Sequence, residues 1–254
     1  MRKLVFIGWL FLSFSVACAQ KLHIMTYNIH HGADRNEVNT LDSIGYFIKS
    51  QNPDIVGLQE VDSVCTRSER IDQMKRLAEI TGMHYAFVRH FPYQGGAYGL
   101  GILSKFPILK TENKKLELLK PGANGSSVGM LFSTIEVSKN KKILFVTAHY
   151  SAYDQATRES QVEQTFQYLK GYDLPVILTG DLNATPDNGI IQRLRESFVT
   201  VDPALNPTFP EHEPTKTIDY IFVSKGNLKK VEKLSIPGVY YSDHRPLSVI
   251  IRMK

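Results

Sequence analysis

Apolar and polar positions fall along the chain in blocks whose lengths separate strands from helices. Five short runs are apolar almost throughout, as buried strands are: LHIMTYNI (22–29), DIVGLQE (54–60), YGLGILS (98–104), ILFVTAHY (143–150) and PVILTGD (175–181). Further strand patterns cover 84–90, 128–137, 217–224, 228–235 and 246–252. Between some of them a helical period takes over. Leu41, Ile44, Phe47 and Ile48 share one face of a helix predicted over 40–50, and Ile71, Met74, Leu77 and Ala78 do so over 69–81. Val162, Phe166 and Leu169 repeat the pattern over 154–170, and 188–197 is a shorter case. The Pro/Gly-containing stretches 91–97, 120–127 and 202–216 read as surface loops. The early half alternates strand and helix, while the later half runs strand after strand. Two packed β-sheets with helices outside them satisfy this mixture, so the expected class is α/β.

Residues 1–19 stand apart from the pattern. Arg2 and Lys3 precede an apolar run from Leu4 to Val16, and small residues surround Ala17-Cys18-Ala19 ahead of Gln20. This is the layout of a secretory signal peptide, too short for a stable membrane span. Two cleavage readings compete: release after Ala19, leaving Gln20 first, or lipidation of Cys18 as a lipoprotein. The expected destination is outside the cytoplasm: periplasmic, extracellular or envelope-anchored. Removing 1–19 leaves 28 basic residues against 25 acidic ones, a charge of +3. So small an excess disfavours a dedicated nucleic-acid binder. Cys65 is then the sole cysteine, so no intrachain disulfide forms, and it reads as a small half-buried hydrophobe. Residues 20–254 suit one large α/β domain.

Polar residues recur where the apolar runs stop. Asn28, Glu60, His149, Asp181 and Asn183 sit at such ends; Asp219 lies in TIDYIFVS, and Ser242-Asp243-His244-Arg245-Pro246 precedes the last strand. Strand ends are where a rigid sheet presents side chains at an accessible rim. Carboxylates and an amide oxygen are hard ligands suited to Mg²⁺ or Mn²⁺. Histidines hold a proton or a phosphoryl oxygen near neutral pH. No Cys cluster, phosphate-binding Gly-rich loop or G-x-S-x-G elbow is present. Metal-assisted attack of water on a phosphoester needs these parts and no others. Each residue has a plainer role: turns for Asn28 and Asn183, a helix cap for Asp181, core packing for His149. Their common position at strand ends favours the chemical reading.

TYNI (26–29), LQEV (58–61), YGLGILSK (98–105), TAHY (147–150), GDLNATP (180–186), IDYIF (218–222) and SDHRP (242–246) stand in the order of a known motif set. The chain resembles the endonuclease/exonuclease/phosphatase superfamily, with its deoxyribonuclease-like fold, over about 22–252. The resemblance implies a four-layer α/β/β/α sandwich of two mixed sheets and an Mg²⁺- or Mn²⁺-dependent phosphoric ester hydrolase. It makes Glu60 the principal metal ligand, with Asn28 beside it and Asp243 as a further contact. His244 would stand close to the scissile phosphate, oriented by Asp219. Asp181 would position or activate water, or protonate the leaving oxygen, and Asn183 would hold a phosphoryl oxygen. His149 matches deoxyribonuclease-like and sphingomyelinase-like members and sets the chain apart from the DNA-repair branch. Arg67 and Arg158 resemble phosphate-binding positions, whereas Arg70 reads as an ordinary solvated arginine. One of His30 and His31 can approach the rim, although a role in function is the weaker expectation for both.

The expected function is an exported phosphodiesterase or phosphatase acting on a small or lipid-linked phosphoester. Membrane association would come through a lipidated Cys18 or a lipid substrate. The enzymatic alternative, an extracellular deoxyribonuclease-like endonuclease, wants a more basic groove. The non-enzymatic alternative, a degenerate phosphoester-binding module, is disfavoured because no expected catalytic residue is missing.

Overall fold

A computed structural model describes residues 20–122 and 125–254. The expected signal peptide, Cys18 and both cleavage points lie outside the described residues. Two six-stranded mixed sheets stack face to face, with helices on their outer sides. Sheet one runs β11 (Leu228–Ser235), β12 (Leu247–Met253), β1 (Lys21–Asn28), β2 (Ile55–Ser63), β4 (Gly96–Ser104) and β3 (His84–Tyr93). Sheet two runs β5 (Ile108–Gly122), β6 (Gly125–Ser138), β7 (Lys141–His149), β8 (Val176–Asp181), β10 (Asp219–Ser224) and β9 (Phe198–Thr200). The parallel pairs are β1–β2, joined through α1 (Leu41–Gln51), and β7–β8, joined through α3 (Gln155–Leu169). All other pairs are antiparallel.

The burial pattern explains why the central strands read so clearly. In β1, Leu22 and Ile24 face the inter-sheet core, while Met25 and Tyr27 face the outer layer containing α1 and α2 (Gln73–Thr81). In β7, Ile143 and Phe145 face inward, and Leu144, Val146 and Ala148 face the layer containing α3 and α4 (Gly189–Arg195). Strands covered on both faces run nearly continuously apolar.

Five expectations change. The loop expected at 91–97 is the end of a hairpin, in which β3 and β4 pair as far as Tyr93 and Gly96. Within the span 120–127, residues 120–122 likewise belong to β5 and 125–127 to β6, paired at Gly122 and Gly125. β5 itself was not expected; it is an edge strand in which Leu116 alone is buried. The second helix begins at Gln73 rather than 69, because Glu69 and Arg70 adopt left-handed conformations and Asp72 caps the helix by accepting from the Lys75 N–H. Cys65 is fully buried rather than half-buried, and its thiol lies against the Tyr93 and Ala97 carbonyls.

Candidate active site

Strand register assembles the site. In sheet two, parallel pairing sets His149 beside Asp181, and antiparallel pairing sets Asp181 beside Asp219. The three form one row across the sheet, at the ends of β7 and β8 and the start of β10. Close approach of β7 and β8 is required here: a Cβ on Gly180, at φ +151°, would lie 2.1 Å from the Ala148 carbonyl oxygen. In sheet one, Asn28 lies beside Gln59, and a bulge between Leu58 and Val61 carries Glu60. Glu60 holds φ +57°, a conformation side-chain-bearing residues seldom adopt. Bulges of this kind re-aim a side chain. Gln59 turns into the core, donating to Thr147 Oγ1 at 2.7 Å, and Glu60 is left at the cavity wall.

Asp181 is the junction of the two sheets. Its Oδ2 accepts from Asn28 Nδ2 at 3.1 Å and lies 3.6 Å from both His149 Nε2 and His244 Nε2. Its Oδ1 accepts from the Asn183 N–H at 2.9 Å. Asn28 Nδ2 also donates to Glu60 Oε1 at 2.9 Å, so one amide bridges the two carboxylates. His244 Nδ1 lies 2.8 Å from Asp219 Oδ2, which also accepts from Thr208 Oγ1 at 2.6 Å. Phe209 covers the His244 ring at 4.7 Å. Asp219 Oδ1 is buried with no partner, the sort of atom that a charged site leaves for a ligand.

The environments drive the titrating groups apart. Burial would lift Glu60, but His149, the Asn28 hydrogen bond, His244 and His30 outweigh it and hold the carboxyl below its ordinary range. For Asp181, burial prevails; Asp219 adds to it against His244 and His149, and the carboxyl moves upward. Burial alone would lower His244, yet the charge and hydrogen bond of Asp219 raise it to about 10, helped by Asp181 and Asp243.

A cavity of about 1080 Å³ opens over this cluster. Glu60, His149, Asp181, Asn183, His244, Arg67 and Arg158 are all on its wall. Arg67 is fixed by Asp62, a fully buried carboxylate that accepts from Nε at 2.8 Å and Nη2 at 3.0 Å. Tyr93 and Tyr98 lie under the guanidinium at 4.7 and 5.5 Å. Arg158 instead braces its own loop, donating to the Ser151 carbonyl and to Gln155 Oε1. Asp243 is not on the cavity wall; Ser242 Oγ, donating to the Asn28 carbonyl at 2.7 Å, ties its loop to the end of β1. His30, His31 and Arg70 are also away from the wall.

Sequence reasoning missed Asp62, Thr208 and Phe209, and it did not assign Tyr98 to the site. Tyr98 places its hydroxyl 3.5 Å from His149 Nδ1. Burial holds that phenol well above its ordinary range, with Glu60 adding to the effect, so it stays protonated. The YGLGILSK run contained this residue; nothing in the loop holding Thr208 and Phe209 distinguished them.

The donors fit a hard divalent cation. Glu60 is held ionised, other carboxylates lie close by, and one buried carboxylate oxygen has no partner. Asn28 currently presents its NH₂ to the carboxylates while its Oδ1 accepts from the His30 N–H, so ligation through oxygen needs a half-turn of the amide. Asp181, Asp219 and His244 also lie close enough together to share an ion. Their hydrogen bonding instead describes a charged histidine between two carboxylates.

Over 246 residues the chain is 25% identical to the uncharacterized protein YbhP of Escherichia coli, spanning 91% of this chain and 96% of that one. It is 28% identical over 170 residues to a putative neutral sphingomyelinase of Caenorhabditis elegans, spanning 59% of this chain and 37% of that protein. The fold matches that of a mannosyl-6-phosphatase from Bacteroides thetaiotaomicron with a TM-score of 0.74 at 20% identity, covering 91% of this chain and 99% of the other. The model of the Endonuclease/Exonuclease/phosphatase family matches residues 25–244, which takes in every site residue from Asn28 to His244, and the chain belongs to that family of phosphoester hydrolases.

Proposed function

We propose that the chain is an exported, Mg²⁺- or Mn²⁺-dependent hydrolase of a small or lipid-linked phosphoester. The observation that carries this reading is the convergence, in one cavity, of an ionised Glu60, an Asp181 pushed upward, a charged His244 and a fixed Arg67. Bound at Glu60 with Asn28 and Asp243, the cation would supply Lewis-acid stabilisation of the phosphoryl oxygens. The remaining chemistry belongs to side chains. His244 is already protonated, so it offers charge and an Nε2–H to a phosphoryl oxygen and is not the base. Asp181 in its ionised form, made more basic by burial, takes the proton of the attacking water and returns it to the leaving oxygen. Asn183 spends one amide hydrogen on the Tyr150 carbonyl and keeps the other for a phosphoryl oxygen. Arg67 keeps Nη1 for an anionic part of the substrate.

The similarity to the mannosyl-6-phosphatase supports a small sugar-phosphate substrate, and that to the putative neutral sphingomyelinase supports a lipid one. Export rests on the signal-like residues 1–19, and the +3 charge of residues 20–254 argues against a nuclease. The test is hydrolysis with Mg²⁺ or Mn²⁺ of sugar phosphates, inositol phosphates, sphingomyelin vesicles, p-nitrophenyl phosphoesters and DNA. Turnover of a sugar phosphate or lipid above DNA is expected. A folded protein that turns over none of them overturns the reading, and preference for DNA replaces it with a nuclease.

A further inference from the structure

We propose that His30, His31 and Glu37 form a second cation site that takes a zinc-class transition ion, distinct from the oxygen-ligand site at Glu60. Directly after β1, His30 and His31 occupy a short 3-10 turn, and both lie in the left-handed region at φ 43° and 45°. Two consecutive side-chain-bearing residues seldom hold that conformation. Here their rings lie 4.4 Å apart between centroids, facing one carboxylate. His31 Nε2 lies 2.8 Å from Glu37 Oε2, and His30 Nε2 lies 3.6 Å from Oε1. The three ligand atoms all fall within 4.8 Å of one another. Zinc bonds of about 2.0–2.2 Å to such donors set neighbouring ligand atoms roughly 3.3–3.6 Å apart. Closing this cluster on an ion therefore needs only small side-chain shifts.

The turn is held from behind. Gly32, at φ +76°, leaves the space in which a Cβ would lie 2.7 Å from Gln73 Nε2. That buried amide donates to the His31 carbonyl. Ligands on so fixed a support lose little freedom when an ion binds. Two imidazoles and one carboxylate match zinc, cobalt and nickel, whereas Mg²⁺ prefers oxygen ligands throughout. Glu37 has 67% of its side chain exposed, so water can supply a fourth ligand.

Affinity should be moderate. Zinc-binding histidines normally donate their second ring N–H to a carbonyl or carboxylate, and loss of that partner costs roughly 10–100-fold. The Nδ1 atoms of His30 and His31 are buried without partners. A dissociation constant on the order of micromolar follows, weaker than that of a closed structural zinc site.

The test is calorimetric titration of ZnCl₂ into the metal-free chain in excess Mg²⁺, with the Co²⁺ absorption spectrum as a second readout. Wild type and Glu60→Gln should each bind one ion at this site. Glu37→Gln and His30→Ala should weaken that binding at least about tenfold, each removing one of three ligands, with melting temperatures close to wild type in metal-free buffer. No zinc binding by the wild type overturns the site. So does binding that survives in both Glu37→Gln and His30→Ala, or binding lost in Glu60→Gln but kept in Glu37→Gln. Because the readout needs no substrate, it stands whether or not the hydrolase reading fails.

Discussion

The same supersecondary unit occurs once in each sheet, with opposite consequences for the carboxylate at its end. In β1–α1–β2 the first strand delivers Asn28, and the second delivers Glu60 through a bulge. In β7–α3–β8 the first delivers His149 and the second Asp181. Glu60 is half-buried among imidazoles and an amide and titrates below its ordinary range. Asp181 is 2% exposed, faces a second carboxylate, and titrates above it. Both lie where parallel pairing stops, Glu60 at a bulge inside β2 and Asp181 at the end of β8, and they share one amide, Asn28. Strand-end position alone therefore does not assign a role; the neighbours that stabilise or oppose charge do. Two carboxylates driven apart in this way divide the work, one holding a cation and one moving a proton.

The largest effect should follow removal of charge at Glu60. Glu60→Gln keeps the shape of the side chain but not its anion, and kcat/KM should fall at least about 10³-fold with little loss of stability. Steady-state rates beside melting curves check this, and near-normal turnover at limiting Mg²⁺ would remove Glu60 from its role.

Next comes the pair of Asp219 and His244. Asp219→Asn and His244→Ala should each cost on the order of 10²–10⁴ in rate. Because Asp219 acts through His244 at 2.8 Å, the double variant should lose little more than the worse single one. Strict additivity would show that the two act separately. His149→Ala, from the neighbouring strand, should add more nearly.

A smaller effect is expected at the cavity wall. Asp62→Asn weakens the clamp on Arg67 without touching the reacting groups, so KM should rise about tenfold with kcat nearly unchanged. A matching fall in kcat would place Arg67 at the reaction centre instead.

The smallest effect concerns stability against pH. The folded value of His244, about 10, lies above its ordinary one near 6.5. Its contribution is therefore complete below about pH 6.5 and is lost as pH rises through about 10. Glu60 is shifted downward and so acts at acid pH. Denaturant midpoints should decline between pH 7 and 10 in wild type, and the slope should flatten in Asp219→Asn. An unchanged slope would contradict the pairing.

Much of this was legible in the sequence, for a physical reason. Strands buried on both faces, such as Leu22–Asn28 and Ile143–His149, are apolar at most steps, and a polar residue at their ends is conspicuous. The edge strand β5 carries KTENKKLELLKPG, a charged run that reads as solvated loop because one residue alone needs burial. The bulge that turns Glu60 outward and Gln59 inward depends on a backbone conformation that no residue pattern marked. Thr208 and Phe209 reach Asp219 and His244 from a loop without regular structure, so no period could reveal them.

The division between the two carboxylates is most directly tested by Mn²⁺ binding, followed by water-proton relaxation, in wild type, Glu60→Gln and Asp181→Asn. The account predicts that Glu60→Gln loses most of the affinity, while Asp181→Asn binds Mn²⁺ within a few-fold of wild type even as its turnover collapses. Equal loss of binding in both variants, or loss in Asp181→Asn alone, would contradict it.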